Sequence, residues 1–251
     1  VKSIEDYQNI VPYSWYPDYT DHIERIAYKG ERNVLTKRMP LKFAESSGST
    51  GKSKLVPMSG WSTWCCQCFS FSAPVGCAYK YYKAKGRRVP PQKGLLTIEV
   101  LNHKLPCKRN AIGLAAIPML YLKPVTRFFV TSPKEVMYPE TLEPMDMHYM
   151  KLRFALPNKE VSYIGTVFIT MAESMFKYME ENWEMLCDDI EKGTINESIV
   201  CPPDVRKKLL KKCKPDPKRA EELRAEFRKG FDEEAIIPRI WPKCGWMYGL
   251  G

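Results

Sequence analysis

Two β-branched and aromatic runs, residues 94–101 (GLLTIEVL) and 126–131 (TRFFVT), stand among segments whose apolar residues recur at helical spacing. Val, Ile, Thr and Phe suit the pleated, half-buried surface of a sheet, so each run reads as a buried strand. Strands separated by helices predict an α/β architecture, here a helix-rich domain with a mixed or parallel sheet. Residues 163–182 carry Ile164, Val167, Phe168, Met171, Met175, Phe176 and Met179, a pattern read as one long buried helix, with residues 183–190 as its neighbour up to a break at Gly193. Shorter helices are expected after Ser3, whose hydroxyl can cap towards Asp6, and over residues 19–27, closing near Gly30. Others are expected over residues 59–82 as a buried helix closed by Gly86, over 149–155, from Asp204 to Leu210, and over 215–229. The end of the chain, residues 235–241 followed by Met247-Tyr-Gly-Leu-Gly, reads as a strand cut short. No internal repeat or linker divides the sequence, so residues 1–251 are taken as one unit.

Composition removes several classes. With 44% hydrophobic and 12% aromatic residues the chain can bury a core, which excludes disorder. No apolar run approaches the ~18 residues that a bilayer span requires, and the sequence opens Val-Lys-Ser-Ile-Glu-Asp without a secretory pattern. Nine cysteines, odd in number and irregularly spaced, fit free thiols in a reducing cytoplasm. The net charge of +10 has its densest run at Arg206, Lys207, Lys208, Lys211, Lys212, Lys214, Lys218 and Arg219. That run continues into Glu221, Glu222 and Glu226 with no aromatic residue to stack a base, so it reads as a solvated helix face. Neither nucleic acid nor membrane is expected as a partner. His22, His103 and His148 are far apart, and Cys65-Cys66-x-Cys68 has no second ligand pair, so no metal site is assigned.

One segment carries chemistry. Glu45-Ser46-Ser47-Gly48-Ser49-Thr50-Gly51-Lys52-Ser53-Lys54 concentrates hydroxyls, glycines and lysines between apolar Phe43 and Leu55-Val56-Pro57. Glycines let backbone N–H groups approach phosphate oxygens, hydroxyls add donors, and lysines neutralise charge. A mobile surface loop has the same composition; the apolar flanks favour a loop between packed elements. Gly51-Lys52-Ser53 meets the end of a Walker loop, G-x-x-x-x-G-K-[ST], but its first glycine falls at Ser46. The adenylate-forming loop S-S-G-[ST]-[ST]-x-G-x-x-K fits better, shortened by one residue between Thr50 and Gly51.

With this loop the sequence resembles the auxin-responsive acyl-acid amido synthetases, the Gretchen Hagen 3 family of adenylate-forming enzymes. The approach from Pro12 to Asn33, with Tyr19, Ile23, Glu24 and Arg25, is similar to the family's, as is Lys54-Leu-Val-Pro57. So are Thr131-Ser132-Pro133, Gly165-Thr-Val-Phe168 through Trp183, Asp188-Asp189-Ile190, Gly193-Thr-Ile-Asn and Ile237-Pro-Arg-Ile-Trp-Pro242. The resemblance implies an ATP- and Mg²⁺-dependent ligase that adenylates a carboxylic acid and passes the acyl group to the amine of an amino acid. It implies that Ser46, Ser47, Gly48, Ser49, Thr50, Gly51, Lys52 and Lys54 cradle the ATP phosphates. It further implies that Trp64, Cys65, Cys66 and Phe69 on one helix, and Val167, Phe168 and Met171 on another, wall the acyl pocket, although packing alone explains apolar stripes of this kind. Plant members often carry arginine in the helix after the loop, where this chain has Cys65 and Cys66. The family's Tyr-x-Ser-Ser-Glu region, ribose-binding aspartate and mobile C-terminal domain lie beyond Gly251. Residues 1–251 are therefore expected to be a truncated adenylation domain, inactive alone and self-associating through the surface truncation exposes. A Walker-type nucleotide hydrolase or kinase, and a basic non-catalytic binding module, are the competing readings.

Overall fold

The computed structural model describes residues 2–46, 48, 51–90, 93–120, 123–140, 143–231 and 234–250, with the backbone alone at 71, 115, 118, 120 and 250. In chain order the elements are α1 (Ile4–Ile10), α2 (Tyr16–Lys29), β1 (Lys42–Glu45), β2 (Leu55–Met58), α3 (Gly60–Ala84), β3 (Gly94–Leu96), β4 (Asn102–Lys104) and β5 (Asn110–Gly113). A 3₁₀ turn at Leu114–Ala116 leads into α4 (Ile117–Leu120), α5 (Thr126–Phe129), α6 (Lys134–Met137) and α7 (Met147–Ala155). Then come β6 (Tyr163–Phe168), α8 (Ile169–Lys192), α9 (Pro203–Leu210), α10 (Pro217–Phe227), α11 (Ile236–Ile240) and β7 (Trp246–Leu250). The chain is α/β, with one mixed and one parallel sheet. Its contacts gather into two compact units, residues 1–64 with 102–114, and residues 65–101 with 115–251.

The first unit holds a four-stranded sheet in the order β2-β1-β5-β4. β1 pairs antiparallel with β2 and parallel with β5. Pro57, which cannot donate to a ladder, sits on the edge strand β2. Ile23, Ile26 and Ala27, the inward face of α2, pack with Phe43, Leu55, Leu105 and Ala111. The expected signals hold here. The Ser3 hydroxyl accepts the Asp6 amide at 3.0 Å, and Gly30 takes the left-handed conformation that ends α2.

The second unit is built on a parallel sheet, β3-β6-β7. Tyr149, Met150, Leu152, Ile164, Met175, Met179, Leu186, Leu223 and Trp241 form its core. Several predicted elements are corrected. Residues 163–168 open not a helix but the central strand β6. Apolar residues at 164, 167 and 168 follow the helical period, and the ladders offered by β3 and β7 override it. Gly165 belongs to that sheet, because a Cβ there would stand 2.5 Å from Leu96 Cδ2 and 2.6 Å from Tyr248 Oη. The helix starts instead at Ile169, kinks at Asn182, where the expected division between residues 163–182 and 183–190 falls, and ends at a left-handed Gly193.

Residues 126–131 are likewise not a strand. Thr126 to Phe129 form a helical turn, and only Val130 bridges to Gly94. Phe128 and Phe129 stay 60% and 37% exposed, so no buried face rewards extension there. The strand expected over residues 94–101 ends at Leu96, and residues 235–241 with the following segment divide into α11 and β7. Residues 60–84 are helical as expected but not buried. Trp61, Trp64 and Phe69 are more than half exposed, and among its described side chains only Thr63, Ala78 and Tyr82 are buried.

All nine cysteines are free thiols. Burial pushes the Cys187 thiol up to about 12, so it stays protonated and unreactive, whereas Cys77 is exposed. Iodoacetamide at about pH 8 is expected to alkylate Cys77 within minutes and Cys187 only on unfolding. Peptide mapping by mass spectrometry checks this, and early labelling of Cys187 would contradict the packing.

Candidate functional site

The Ser/Gly/Lys segment connects β1 to β2 across an antiparallel hairpin. Its stem is extended by Ser46, whose amide donates to the Lys54 carbonyl at 3.0 Å while its hydroxyl accepts the Lys54 amide at 2.9 Å. Ser53 Oγ donates to the Ser46 carbonyl at 2.8 Å. These hydroxyls are thus used in shaping the loop. Further out, the Gly51 amide donates to the Gly48 carbonyl at 2.9 Å, a tight turn that places Gly48 at φ +70° and Gly51 at φ +141°. A Cβ on Gly48 would stand 2.9 Å from the Gly51 carbonyl oxygen and 3.1 Å from the Ser53 amide nitrogen. Only glycine fits there.

Lys52 and Lys54 are exposed at the loop's return. The Lys54 ammonium lies 5.5 Å from the centre of the Tyr16 ring, and the Tyr16 hydroxyl accepts the Leu55 amide at 3.0 Å. Neither lysine has a carboxylate partner among the described residues. Uncompensated ammonium groups beside a glycine-opened backbone form a donor set for an anionic ligand such as a polyphosphate. Of the eight residues expected to cradle phosphates, Ser46, Gly48, Gly51, Lys52 and Lys54 therefore share this loop, and Ser47, Ser49 and Thr50 lie outside the described residues. The Walker-type reading falls. Such a loop leads from a strand into a helix N-terminus, whereas Gly51-Lys52-Ser53 leads into β2. No cluster of three or more His, Cys, Asp or Glu able to hold a metal exists among the described residues.

Of the residues expected to wall an acyl pocket, Trp64 falls in the first unit and the others in the second. Cys65 and Cys66 on α3 are half-buried and Phe69 is 68% exposed. Val167 and Phe168 are not helical but end β6, with Phe168 39% exposed at the start of α8. A crevice with no room for a water molecule lies between α3 and the sheet, but it is lined by Ser70, Pro74, Val75, Tyr163, Trp246 and Tyr248 and by none of those five. Tyr163 and Trp246 stack with centroids 4.8 Å apart, and Trp246 and Tyr248 with centroids 5.7 Å apart. The Trp246 indole N–H is buried there without a hydrogen-bond partner. The alternation Trp246-x-Tyr248 was the available signal for this aromatic wall, hidden because the partner strand had been read as helix.

No helix among the described residues is long and apolar enough to cross a membrane. A family model described as the GH3 family N-terminal domain matches residues 1–250. An indole-3-acetic acid-amido synthetase, GH3.5 of Arabidopsis thaliana, is 28% identical over 258 residues, covering 97% of this chain and 40% of its own length. A jasmonoyl–L-amino acid synthetase, GH3.5 of Oryza sativa subsp. japonica, is 25% identical over 261 residues, covering 98% and 42%. The structure of the AtGH3.15 acyl acid amido synthetase in complex with 2,4-DB superposes with a TM-score of 0.77 at 23% identity, over 99% of this chain and 42% of that one. This chain spans about 40% of the length of the curated relatives it matches.

Proposed function

The chain belongs to the GH3 family, through a match to its N-terminal domain over residues 1–250, and from that premise we propose that it supplies the phosphate-binding part of an ATP-dependent acyl-acid amido synthetase. In that reading the two compact units are parts of one adenylation domain. The observation that carries the reading is the β1–β2 hairpin loop, with Gly48 held in a conformation only glycine tolerates and Lys52 and Lys54 left uncompensated.

A carboxylate is a poor electrophile. In the first step its oxygen bonds to the α-phosphorus of ATP and pyrophosphate leaves. In the second an amino acid's amine bonds to the acyl carbon, AMP leaves and the nitrogen loses a proton. ATP, when bound, supplies the leaving group. The loop's part is to hold and neutralise the phosphates through Lys52, Lys54 and the backbone N–H groups around Gly48 and Gly51. Mg²⁺, when bound with ATP, would supply further neutralisation of the phosphate charge. Cys65, Cys66, Phe69, Val167 and Phe168 are proposed as acyl walls. The free thiols support a reducing, cytoplasmic setting.

The test is acid-dependent exchange of labelled pyrophosphate into ATP by the natural polypeptide carrying these residues, with a panel of carboxylic acids. Exchange is expected with one class of acid, and Lys54→Ala is expected to lower it by roughly 10²-fold, the cost of removing one preorganised charge partner. A folded wild type that exchanges with no acid would overturn the reading. Unchanged exchange in Lys54→Ala would overturn the assignment of the loop. Residues 1–251 alone are expected to bind nucleotide weakly and to exchange nothing.

A further inference from the structure

β3 and β6 are joined beyond their ladder by a run of buried hydrogen bonds that ends at the corner where β6 becomes α8. The Thr97 amide donates to the Gly165 carbonyl at 2.9 Å, and Thr97 Oγ1 donates to Thr166 Oγ1 at 2.9 Å. Thr166 Oγ1 in turn donates to the Phe168 carbonyl at 2.6 Å. At the other end, Lys151 on α7 donates from Nζ to the Thr97 carbonyl, and its second partner is the Glu99 carboxylate at 2.6 Å. Thr97, Thr166 and Lys151 are 4%, 5% and 2% exposed. Polar groups buried this deeply keep their partners because each unmet donor or acceptor costs about 1–3 kcal/mol.

This chain of bonds meets the strand where its pairing is irregular. The β6–β7 register shifts between Gly165 and Phe168, so the ladder by itself does not fix that corner. The Thr166 methyl also lies close over Gly249 of β7, where an added Cβ would stand 2.5 Å from Cγ2. The hydroxyl of Thr166 therefore has one orientation open to it, with Thr97 as donor and the Phe168 carbonyl as acceptor. Val167 and Phe168 flank that hydroxyl, and both leave the core: Val167 is half-buried and Phe168 is exposed.

We infer that Lys151, Thr97 and Thr166 are positioning residues that set the β6–α8 corner, and through Val167 and Phe168 select the carboxylic acid. The inference rests on the reading of Val167 and Phe168 as acyl walls. None of the three touches substrate. A side-chain hydroxyl two residues away decides where the wall stands.

Thr166→Val removes the hydroxyl and keeps the methyl contact with Gly249, while Thr166→Ser keeps the hydroxyl. In the natural polypeptide, Thr166→Val is expected to raise the acid KM in pyrophosphate exchange, and the acid Kd by calorimetry, roughly tenfold, because small misplacements of binding groups carry penalties of that order. The ATP KM should stay within about twofold, the ranking of acids of different length should change, and Thr166→Ser should restore wild-type values. Unchanged acid constants in Thr166→Val would overturn the inference. So would a matching rise in the ATP KM, which marks general loosening. Should Thr166→Val not fold, Thr97→Val breaks the same run one bond earlier and is read in the same way. A wild type active with no acid would refute the function proposed above. A crystal structure of Thr166→Val then decides this point, with Phe168 unmoved refuting the positioning and a displaced Phe168 supporting it.

Discussion

Gly48→Val is expected to cost the natural polypeptide about a hundredfold or more in acid-dependent pyrophosphate exchange while leaving its thermal unfolding nearly unchanged. The new Cβ would stand 2.9 Å from the Gly51 carbonyl oxygen and 3.1 Å from the Ser53 nitrogen, both backbone atoms that no rotamer change can clear. Backbone at φ +70° adds about 1–2 kcal/mol of strain for a residue with a side chain. The turn closed by the Gly51 amide on the Gly48 carbonyl must then open, and Lys52 moves with it. The hairpin stem is spared, because the Ser46–Lys54 and β1–β2 pairings lie below the turn. Gly51→Ala is the control. Among the described residues no atom lies within 4 Å of a Cβ at that position, so it bears backbone strain alone and should lose far less. Equal losses in the two variants would mean that flexibility, and not the shape of the turn, is what the loop requires.

The largest effect on stability is expected at Asp189, which is 5% exposed near the end of α8. Its carboxylate accepts from the Tyr149 hydroxyl at 2.6 Å, the Thr194 hydroxyl at 2.7 Å and the Asn196 amide at 3.1 Å. Its backbone carbonyl accepts from Arg153 at 2.9 Å. These bonds tie α7 to α8 and to the turn that follows it. Asp189→Ala takes the acceptor from one buried donor, Tyr149, and from two half-buried ones, Thr194 and Asn196, at about 1–3 kcal/mol for each left unmet. With a shift of about 2–4 °C per kcal/mol for a chain of this size, the melting temperature should fall by roughly 10 °C or more. Asp189→Asn retains one acceptor oxygen and should lose less. Calorimetric unfolding of both variants checks the order, and a fall of only a degree or two in Asp189→Ala would mean that the surrounding groups find other partners.

The features legible in the sequence share one property: each is settled within a few residues. Ser3 caps α1, Gly30 and Gly193 end α2 and α8, and the loop between Phe43 and Leu55 stands out by its residue types alone. The acyl-wall candidates were harder to place. Val167 and Phe168 were expected on a helix but end strand β6, and the aromatic wall of Tyr163, Trp246 and Tyr248 was missed because its members come together only once β6 and β7 pair. The run from Lys151 through Thr97 and Thr166 to Phe168 leaves no trace in spacing, since it spans 52 to 69 residues at its long-range links.

The sequence by itself determined the α/β class, the helix ends and the place of the Ser/Gly/Lys loop proposed to hold phosphate, because capping, glycine conformation and charge act locally and carry their own residue signatures. Tertiary structure alone decided that residues 163–168 are a strand and residues 126–129 a helix. Their apolar spacing does not settle the element, and the choice falls to whichever partner can satisfy the backbone N–H and C=O groups. For β6 those partners are β3 and β7, about 70 and 80 residues away along the chain. Residues 126–129 instead close a hydrogen bond within their own turn, from the Val130 amide to the Thr126 carbonyl at 2.9 Å, and leave only Val130 for the sheet.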